Sequence, residues 1–427
     1  MPDDSTATAP AASEGASAAA ATALERADAL AACTEDPARL TRRFATPALA
    51  QAGDLVLGWM RDAGMTAGRD AIGNVAGRWE PPGLPAGAPT LMFGSHLDTV
   101  RDAGRYDGML GVVSAIECVD ALNRQQKKLP FAIEVIGFGD EEGVRFGTTL
   151  LGSRAIAGTL APEVLATKDA AGTSIAQALI QFGLNPEHLS KVKRKKSEVL
   201  AYAELHIEQG PVLEAEGLPV GVVTAINGFS RLRVTLRGEA GHAGTVPMAL
   251  RRDALAAAAQ CVLAVEAIAR RHPELVGTVG RIEAKPGAIN VIPGEAQFTV
   301  DLRAPEDPVR QQALADVKNE IVGIARERGM EAKIESLQDF GSSACAPWLM
   351  RQLERAVEAR GVRVRRLPSG AGHDGMAIKA IADIAMLFVR CKGGVSHNPA
   401  ESITEEDAAV GAAVLFDFIH EFKPVSA

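Results

Sequence analysis

Two residues whose side chains can bind a metal ion, His96 and Asp107, follow a short apolar run in the sequence. Residues 90–93 predict a buried strand, and His96 stands just beyond them. Asp107 precedes residues 108–122, in which apolar residues recur at helical spacing. In an open α/β sheet, ligands and metals bind where strands end and helices begin. The pattern favours a metal site, with Asp98 accepting the N–H of the second ring nitrogen of His96. A hydrogen-bonded structural pair is the alternative for His-x-Asp taken alone.

Further ligand-type residues stand in the same kind of position. Residues 131–138, 199–207 and 384–389 have the apolar or alternating pattern of core strands. Acidic or imidazole side chains then lie at the ends of these strands or in the loop after them: Glu141, Glu142, His206 and His397. The sequence therefore predicts that ligands from distant parts of the chain meet at one edge of a sheet.

The combined set matches what two divalent ions sharing one bridging carboxylate need, with imidazole and carboxylate ligands that suit zinc. Its members are His96, Asp107, Glu142, His206 and His397. A water between two ions held roughly 3.5–4 Å apart loses its proton near neutral pH and becomes a nucleophile. Glu141, beside Glu142, is placed to take that proton and deliver it to a leaving nitrogen. An acidic pair that caps a helix is the alternative for this dipeptide.

Composition bounds the rest of the interpretation. The chain has 427 residues, of which 47% are hydrophobic and 23% charged, and this predicts a globular protein with two domains. The formal net charge of −8 argues against nucleic acid or an anionic membrane as main partner, and no apolar stretch is long enough to span a membrane. Five scattered cysteines without a C-x-x-C pair favour a reducing, cytoplasmic location. The basic run 191–196 is interpreted as a solvated segment.

Element order predicts an α/β fold with an insertion. Residues 1–22, rich in Ala, Ser and Thr, are expected to be a disordered leader. Residues 23–220 and 339–427 are expected to form the catalytic domain, a mixed sheet flanked by helices. Between them, residues 221–338 alternate as strand–helix–strand–strand–helix–strand, the split βαβ ferredoxin-like order.

Seven motifs, in the same order along the chain, carry a family resemblance. They are His-Leu-Asp-Thr-Val, Tyr-Asp-Gly-Met-Leu-Gly, Asp-Glu-Glu-Gly-Val-Arg-Phe, His-Ile-Glu-Gln-Gly, Gly-His-Ala-Gly-Thr-Val-Pro-Met, Ser-Gly-Ala-Gly-His-Asp and Ser-His-Asn-Pro-Ala-Glu. From about residue 23 onward the chain resembles the di-zinc aminoacylase-like metallohydrolases. It is most similar to the branch of N-carbamoyl-L-amino acid hydrolases, allantoate amidohydrolases and bacterial β-ureidopropionases.

The resemblance implies roles for the metal ligands. His96, Asp107 and His206 would hold one ion, and the second would be held by Asp107, Glu142 and His397. Asp107 would bridge the two, Glu141 would be the general base, and Asp98 would support His96. The metals implied are two divalent ions per subunit, zinc by preference, with manganese and cobalt as alternatives.

The resemblance also implies how a substrate carboxylate and ureido group are held. Arg303 would bind the carboxylate by a two-pronged hydrogen bond, and Asn290 would assist. Gln209 and Arg231 are further candidates for substrate contact. His242 would reach the partner subunit's active site and stabilise the oxyanion, which requires a homodimer built through the insert as a lid and dimerisation domain. A surface arginine and a surface histidine are the alternatives for Arg303 and His242.

The prediction is therefore a cytoplasmic, metal-dependent amidohydrolase that cleaves a carbamoyl or ureido C–N bond of a small carboxylate substrate. A dipeptidase or aminoacylase with the same chemistry is one alternative, which Gln209, Asn290 and Arg303 disfavour. A binding or regulatory protein on the same scaffold is another, which the intact ligand set and Glu141 disfavour. The sequence leaves N-carbamoyl amino acids, allantoate and ureidopropionate undecided.

Overall fold

The computed structural model describes residues 14–425, which divide into two compact units. The first comprises residues 14–224 together with 345–367 and 371–425, and the second comprises residues 225–344 and 368–370. The α-helices of the described chain are α1 (Glu14–Ala31), α2 (Pro47–Asp62), α3 (Met109–Arg124), α4 (Leu151–Ala157), α5 (Ile175–Gln181), α6 (Val212–Ala215), α7 (Ala254–Ala269), α8 (Asp307–Glu327), α9 (Pro347–Ala359), α10 (Gly375–Ile378) and α11 (Glu405–Glu421).

The strands form one large mixed sheet and two smaller antiparallel sheets. In chain order they are β1 (Thr66–Arg69), β2 (Val75–Trp79), β3 (Thr90–His96), β4 (Ala132–Phe138), β5 (Val199–Ile207), β6 (Val220–Ile226), β7 (Gly228–Arg237), β8 (Gly241–His242), β9 (Val276–Thr278), β10 (Ile282–Lys285), β11 (Val291–Ile292), β12 (Glu295–Ala304), β13 (Glu331–Phe340), β14 (Ser343–Ala344), β15 (Arg366–Ser369) and β16 (Ile384–Val389).

Four neighbouring strands at the centre of the first unit run parallel. They lie in the order β4-β3-β5-β16, with antiparallel strands β2 and β6 on either side. Every residue of β3, β4 and β16 is buried, as expected for parallel strands covered on both faces. Because the four strands point the same way, their carboxyl ends meet at one edge of the sheet.

The second unit has its own core and a sheet in the order β10-β12-β7-β13, with β9 also paired to β12. Along β12 the side chains alternate between buried and half-buried. The buried face packs on α7 and α8 through Val234, Phe298, Val265 and Val317. The other face of β12 carries Asp301 and Arg303. The element order is the predicted ferredoxin-like one, and its last strand, β13, runs to Phe340.

The predicted fold class, a mixed sheet flanked by helices with an inserted α+β unit, is confirmed. The expected leader, residues 1–22, lies outside the described residues as far as residue 13. Helix α1 begins at Glu14, so residues 14–22 are helical and the expectation that they are disordered is wrong. The reason is that Ala20 is buried against Ala408 and Ala409, so this alanine-rich segment has a packing partner. Within the described residues, no helix is long and apolar enough to cross a membrane.

Candidate metal centre

The carboxyl edge of the parallel strands carries the predicted ligands. His96 is the last residue of β3, and His206 is the penultimate residue of β5. Glu142 follows β4, and His397 lies in the loop after β16. Asp107 precedes α3, whose capping residue Gly108 has a φ of 78°. A Cβ at Gly108 would lie 2.6 Å from the ring of His96, so only glycine fits there.

Asp107 lies at the centre of the cluster. Its Oδ1 is 3.6 Å from Nε2 of His96 and 3.2 Å from Nε2 of His206. Its Oδ2 is 3.1 Å from Nε2 of His397, and that nitrogen is 3.5 Å from Oε1 of Glu142. Two groups of three ligand atoms, each within 4.8 Å of one another, therefore share Asp107: one with His96 and His206, the other with Glu142 and His397. The structure thus brings all five predicted ligands together.

Hydrogen bonds fix the tautomers of the two buried imidazoles. Nδ1 of His96 lies 2.9 Å from the carbonyl oxygen of Asp98, and Nδ1 of His206 lies 2.8 Å from that of Ile207. Because a carbonyl only accepts, Nδ1 carries a proton in both rings, and Nε2, on the side of Asp107, is the nitrogen that can bind a metal. Nε2 of His206 is buried and makes no hydrogen bond of good geometry within the described residues. A nitrogen held in this way fits a metal ligand.

The charges of the cluster favour a cation. Burial acts to raise the pKa of Asp107, but the imidazoles of His206, His397 and His96 hold it well below its ordinary value. Burial lowers the pKa of His96, but the carboxylates of Asp107, Glu141 and Asp98 together raise this pKa by more, so it lies well above its ordinary value. Burial and then the Asp107 carboxylate raise the pKa of Glu142 to about 7. The donor set is therefore short of positive charge, and divalent ions fit it.

Glu141 lies beside the ligands. A carboxylate oxygen of Glu141, a carboxylate oxygen of Glu142 and a ring nitrogen of His96 lie within 4.8 Å of one another. Burial, followed by repulsion from Glu142, raises the pKa of Glu141 well above its ordinary value. A Cβ on Gly372 would lie 3.2 Å from Oε1 of Glu141, so the glycine-rich loop passes close to this carboxylate. The arrangement can bring a proton acceptor to the metal ligands.

The structure gives Asp98 a different role from the one expected. Its carboxylate Oδ1 is 3.8 Å from Nδ1 of His96, and the imidazole bonds to the Asp98 backbone carbonyl instead. The carboxylate accepts the backbone N–H groups of Glu141 at 2.9 Å and of Glu142 at 3.2 Å. Asp98 is buried and needs donors, and these two amides supply them. Asp98 therefore fixes the segment that carries Glu141 and Glu142.

Glu401 supports the centre although its position in the sequence did not identify it as a site residue. Its side chain is buried, and Oε1 accepts the backbone N–H of Tyr106 at 2.8 Å and of Asp107 at 3.1 Å. Its Oε2 accepts the hydroxyl of Ser396 at 2.9 Å, next to His397. Glu401 thus joins the loop of the bridging carboxylate to the loop of a histidine ligand. Its motif, Ser-His-Asn-Pro-Ala-Glu, is the only sequence signal that could have found it.

Gln209 contacts the loop that carries His397. Its Nε2 donates to Oγ of Ser396 at 3.1 Å, and its Oε1 is buried without a hydrogen-bond partner among the described residues. Gln209 and His397 both have positive φ, 56° and 55°. Residues other than glycine rarely adopt a positive φ, and such backbone strain is typical of functional sites whose surroundings fix the conformation.

The other predicted site residues belong to the second unit, in two places. His242 is exposed on β8, opposite Val291 of β11, and its Nδ1 accepts the N–H of Gly244 at 3.1 Å. The carbonyl of Asn290 accepts the N–H of Ala243 at 2.9 Å, so His242 and Asn290 are neighbours. Arg231 and Arg303 lie on the sheet instead, where both bond to Asp301. Asp301 could have been found from Asp-Leu-Arg, because residues two apart on a strand share a face.

Known proteins resemble this chain over most of its length. Residues 92–421 match the profile of "Peptidase family M20/M25/M40". An N-carbamoyl-L-amino acid amidohydrolase from Geobacillus stearothermophilus is 46% identical over 377 residues, which cover 88% of this chain and 92% of that protein. Allantoate deiminase 1 from Glycine max is 43% identical over 409 residues, covering 88% and 84%. The crystal structure of an amidase of the hydantoinase/carbamoylase family from Burkholderia multivorans superposes with a TM-score of 0.88 at 34% identity, covering 95% of this chain and 98% of that one.

Proposed function

The chain belongs to the peptidase family M20/M25/M40, and from this premise we propose that it hydrolyses the carbamoyl or ureido C–N bond of an N-carbamoyl-L-amino acid or of allantoate. Two curated relatives with those substrates in their names are 46% and 43% identical to it. The observation that carries the proposal is the pair of ligand groups sharing Asp107, with Glu141 beside them. The chain is thus a hydrolase of non-peptide C–N bonds.

The donor set supports two divalent ions. One would be held by His96, Asp107 and His206, and the other by Asp107, Glu142 and His397. Zinc suits these imidazole and carboxylate donors, and manganese or cobalt are the alternatives. Divalent ions in such a site lower the pKa of a nearby water and so supply a nucleophile at neutral pH.

The chain's own residues position and move the proton. Glu141 takes it on its carboxylate and hands it to the leaving nitrogen, a role for which its place beside Glu142 is suited. Asp98 holds the backbone of this segment, so that the Glu141 carboxylate stays near the ligands. For an N-carbamoyl-L-amino acid, one water is consumed, and the products are the amino acid, carbon dioxide and ammonia.

The substrate carboxylate is assigned to Arg303, with Arg231, Asn290 and Gln209 as further contacts. His242 would stabilise the oxyanion in the partner subunit of a homodimer assembled through the second unit. Its exposed position on the short strand β8 leaves it accessible for such a contact. A cytoplasmic location fits the cysteine usage.

A substrate panel tests the proposal. Protein loaded separately with zinc, manganese or cobalt is incubated with N-carbamoyl-L-amino acids, allantoate and 3-ureidopropionate, and both ammonia release and the release of free amino groups are measured. N-acetyl amino acids and dipeptides are included, since an aminoacylase or dipeptidase is the other candidate. Ammonia from a carbamoyl or ureido substrate is the expected result. Cleavage confined to the N-acetyl amino acid or the dipeptide would contradict it.

Glu141→Gln separates an enzyme from a binding protein on this scaffold. The amide keeps the size of the side chain but cannot take a proton, so turnover should fall by about 10²–10⁴-fold. Metal content, measured on the same sample, should stay at the wild-type value, because Glu141 is outside both ligand groups that share Asp107. Glu187→Gln, on an exposed residue, is the matched control. Unchanged turnover in the Glu141 variant would remove Glu141 from the mechanism.

A further inference from the structure

Two arginines on the half-buried face of the second unit's sheet share a single carboxylate. Asp301 on β12 faces Arg231 on β7 directly across the strand pair, and Arg303 lies two residues further along β12. Oδ2 of Asp301 accepts Nε of Arg231 at 2.8 Å and NH2 of Arg303 at 3.1 Å, and Oδ1 accepts Nε of Arg303 at 2.9 Å. Arg231 and Arg303 are called the arginine pair below, and the pair together with Asp301 is called the cluster.

The arginine pair is held rigidly. Both guanidinium carbons lie over the ring of Phe229, at 4.8 Å for Arg231 and 5.7 Å for Arg303. Gln338 on β13 accepts NH1 of Arg231 at 2.7 Å, and the carbonyl of Gly370 accepts NH1 of Arg303 at 2.8 Å. Each guanidinium is thus fixed on one side by the aromatic ring and along its edge by acceptors.

The cluster still has donors to offer. A guanidinium has five N–H groups. Asp301 accepts two of the N–H groups of Arg303 and the carbonyl of Gly370 accepts a third, and these bonds leave two of the five outside them. The Arg231 and Arg303 side chains are 40% and 29% exposed, so solutes can reach them. A carboxylate can therefore bind the pair without displacing Asp301.

The charge of the cluster sets which anion it matches. Two guanidiniums carry +2 and Asp301 carries −1, which leaves +1. The nearest strand neighbours on this face, Phe229, Gln338 and Thr278, are uncharged. Further along the same face Arg233 lies 4.0 Å from the carboxylate of Glu335, and this ion pair adds no net charge. One substrate carboxylate neutralises the cluster. A second carboxylate on the same substrate would then be partly desolvated without a positive charge to pair with.

We infer that Asp301 is a specificity-determining residue that restricts the substrate to monocarboxylates by cancelling half the charge of the arginine pair. This rests on the proposed function, in which Arg303 binds the substrate carboxylate. It goes further by naming the substrate class: neutral side chains are accepted, and those with a second carboxylate are disfavoured. Asp301 holds and balances the arginines and takes no part in the chemistry.

Two nearly isosteric substrates isolate the charge. N-carbamoyl-L-asparagine and N-carbamoyl-L-aspartate differ by an amide in place of a carboxylate, so the ratio of their kcat/KM values cancels any common loss of activity. The wild type should prefer the asparagine derivative. In Asp301→Asn the cluster carries +2, and the ratio should shift toward the aspartate derivative by about fivefold, mainly through KM and less at high salt.

Two further variants keep the test decisive. Arg231→Gln leaves a net charge of zero and should shift the ratio the other way, which covers the case in which Asp301→Asn fails to fold. Glu283→Gln changes the protein's charge by the same amount on the exposed strand β10 and should leave the ratio unchanged.

Equal losses on both substrates, with the ratio unmoved, would overturn the inference while the proposed function stands. A wild type that prefers the aspartate derivative would overturn it as well. A wild type that hydrolyses no carbamoyl or ureido substrate would overturn the proposed function, and the inference with it.

Discussion

Removing the Glu401 carboxylate should weaken metal binding without changing any proposed ligand. Glu401→Ala deprives the N–H groups of Tyr106 and Asp107 and the hydroxyl of Ser396 of their acceptor. Glu401 is only 3% exposed, so water cannot easily replace it. Each buried donor left unpaired costs about 1–3 kcal/mol. The backbone of Asp107 is then free to turn away, and metal affinity should fall by about 10–100-fold, as is usual when a residue supporting a ligand is lost.

The effect is measured by titrating metal-free protein with zinc in competition with a chromophoric chelator. Glu401→Gln keeps an oxygen that can accept both backbone N–H groups, so its affinity should lie between those of the wild type and the alanine variant. Glu421→Ala, at an exposed position in the last turn of α11, is the control for loss of a glutamate. Wild-type zinc affinity in Glu401→Ala would refute the reasoning. Equal losses in the alanine and glutamine variants would place the effect in the charge and not in the hydrogen bonds.

Three other predictions follow from the same contacts. Chelation of the metals should abolish turnover and lower Tm by about 5 °C or more, since ligands that bind only the folded state stabilise it by mass action; calorimetry with and without chelator checks this, and an unchanged Tm would contradict it. Arg42, fully buried, donates to the carbonyls of Leu97 and Cys33, so Arg42→Met should lower the free energy of unfolding by about 3–5 kcal/mol in urea titrations, whereas a loss under about 1 kcal/mol would count against it. Burial raises the pKa of Asp70 from 3.8 to about 6. Because the folded state then binds the proton more tightly than the unfolded state, protonation of Asp70 stabilises the fold by at most about 3 kcal/mol. This contribution is fully present below about pH 4 and is lost as the pH rises through about 6. The difference in unfolding free energy between wild type and Asp70→Asn should therefore change with pH over this window, and a constant difference would refute the assignment.

The sequence by itself determined the fold class and the ligand types. Apolar runs that end in His96, near Glu142 or at His206 predict core strands, and ligands bind where the strands of an open α/β sheet end. Convergence of these residues on Asp107 follows from that geometry, which is why the distances among them agree with the pattern. The order of elements likewise determined the ferredoxin-like unit, because alternation and helical spacing are local properties.

Only the tertiary structure decided which groups support the centre and the arginines. Glu401 accepts the N–H of Asp107 across 294 positions of sequence, and Asp98 turns its carboxylate to backbone amides and not to His96. The carboxylate of Asp301 serves two strands that are adjacent only in the folded sheet. Backbone N–H groups are the same at every residue, so the sequence carries no mark of which buried carboxylate will accept them. That choice depends on which groups are left without water when the core closes.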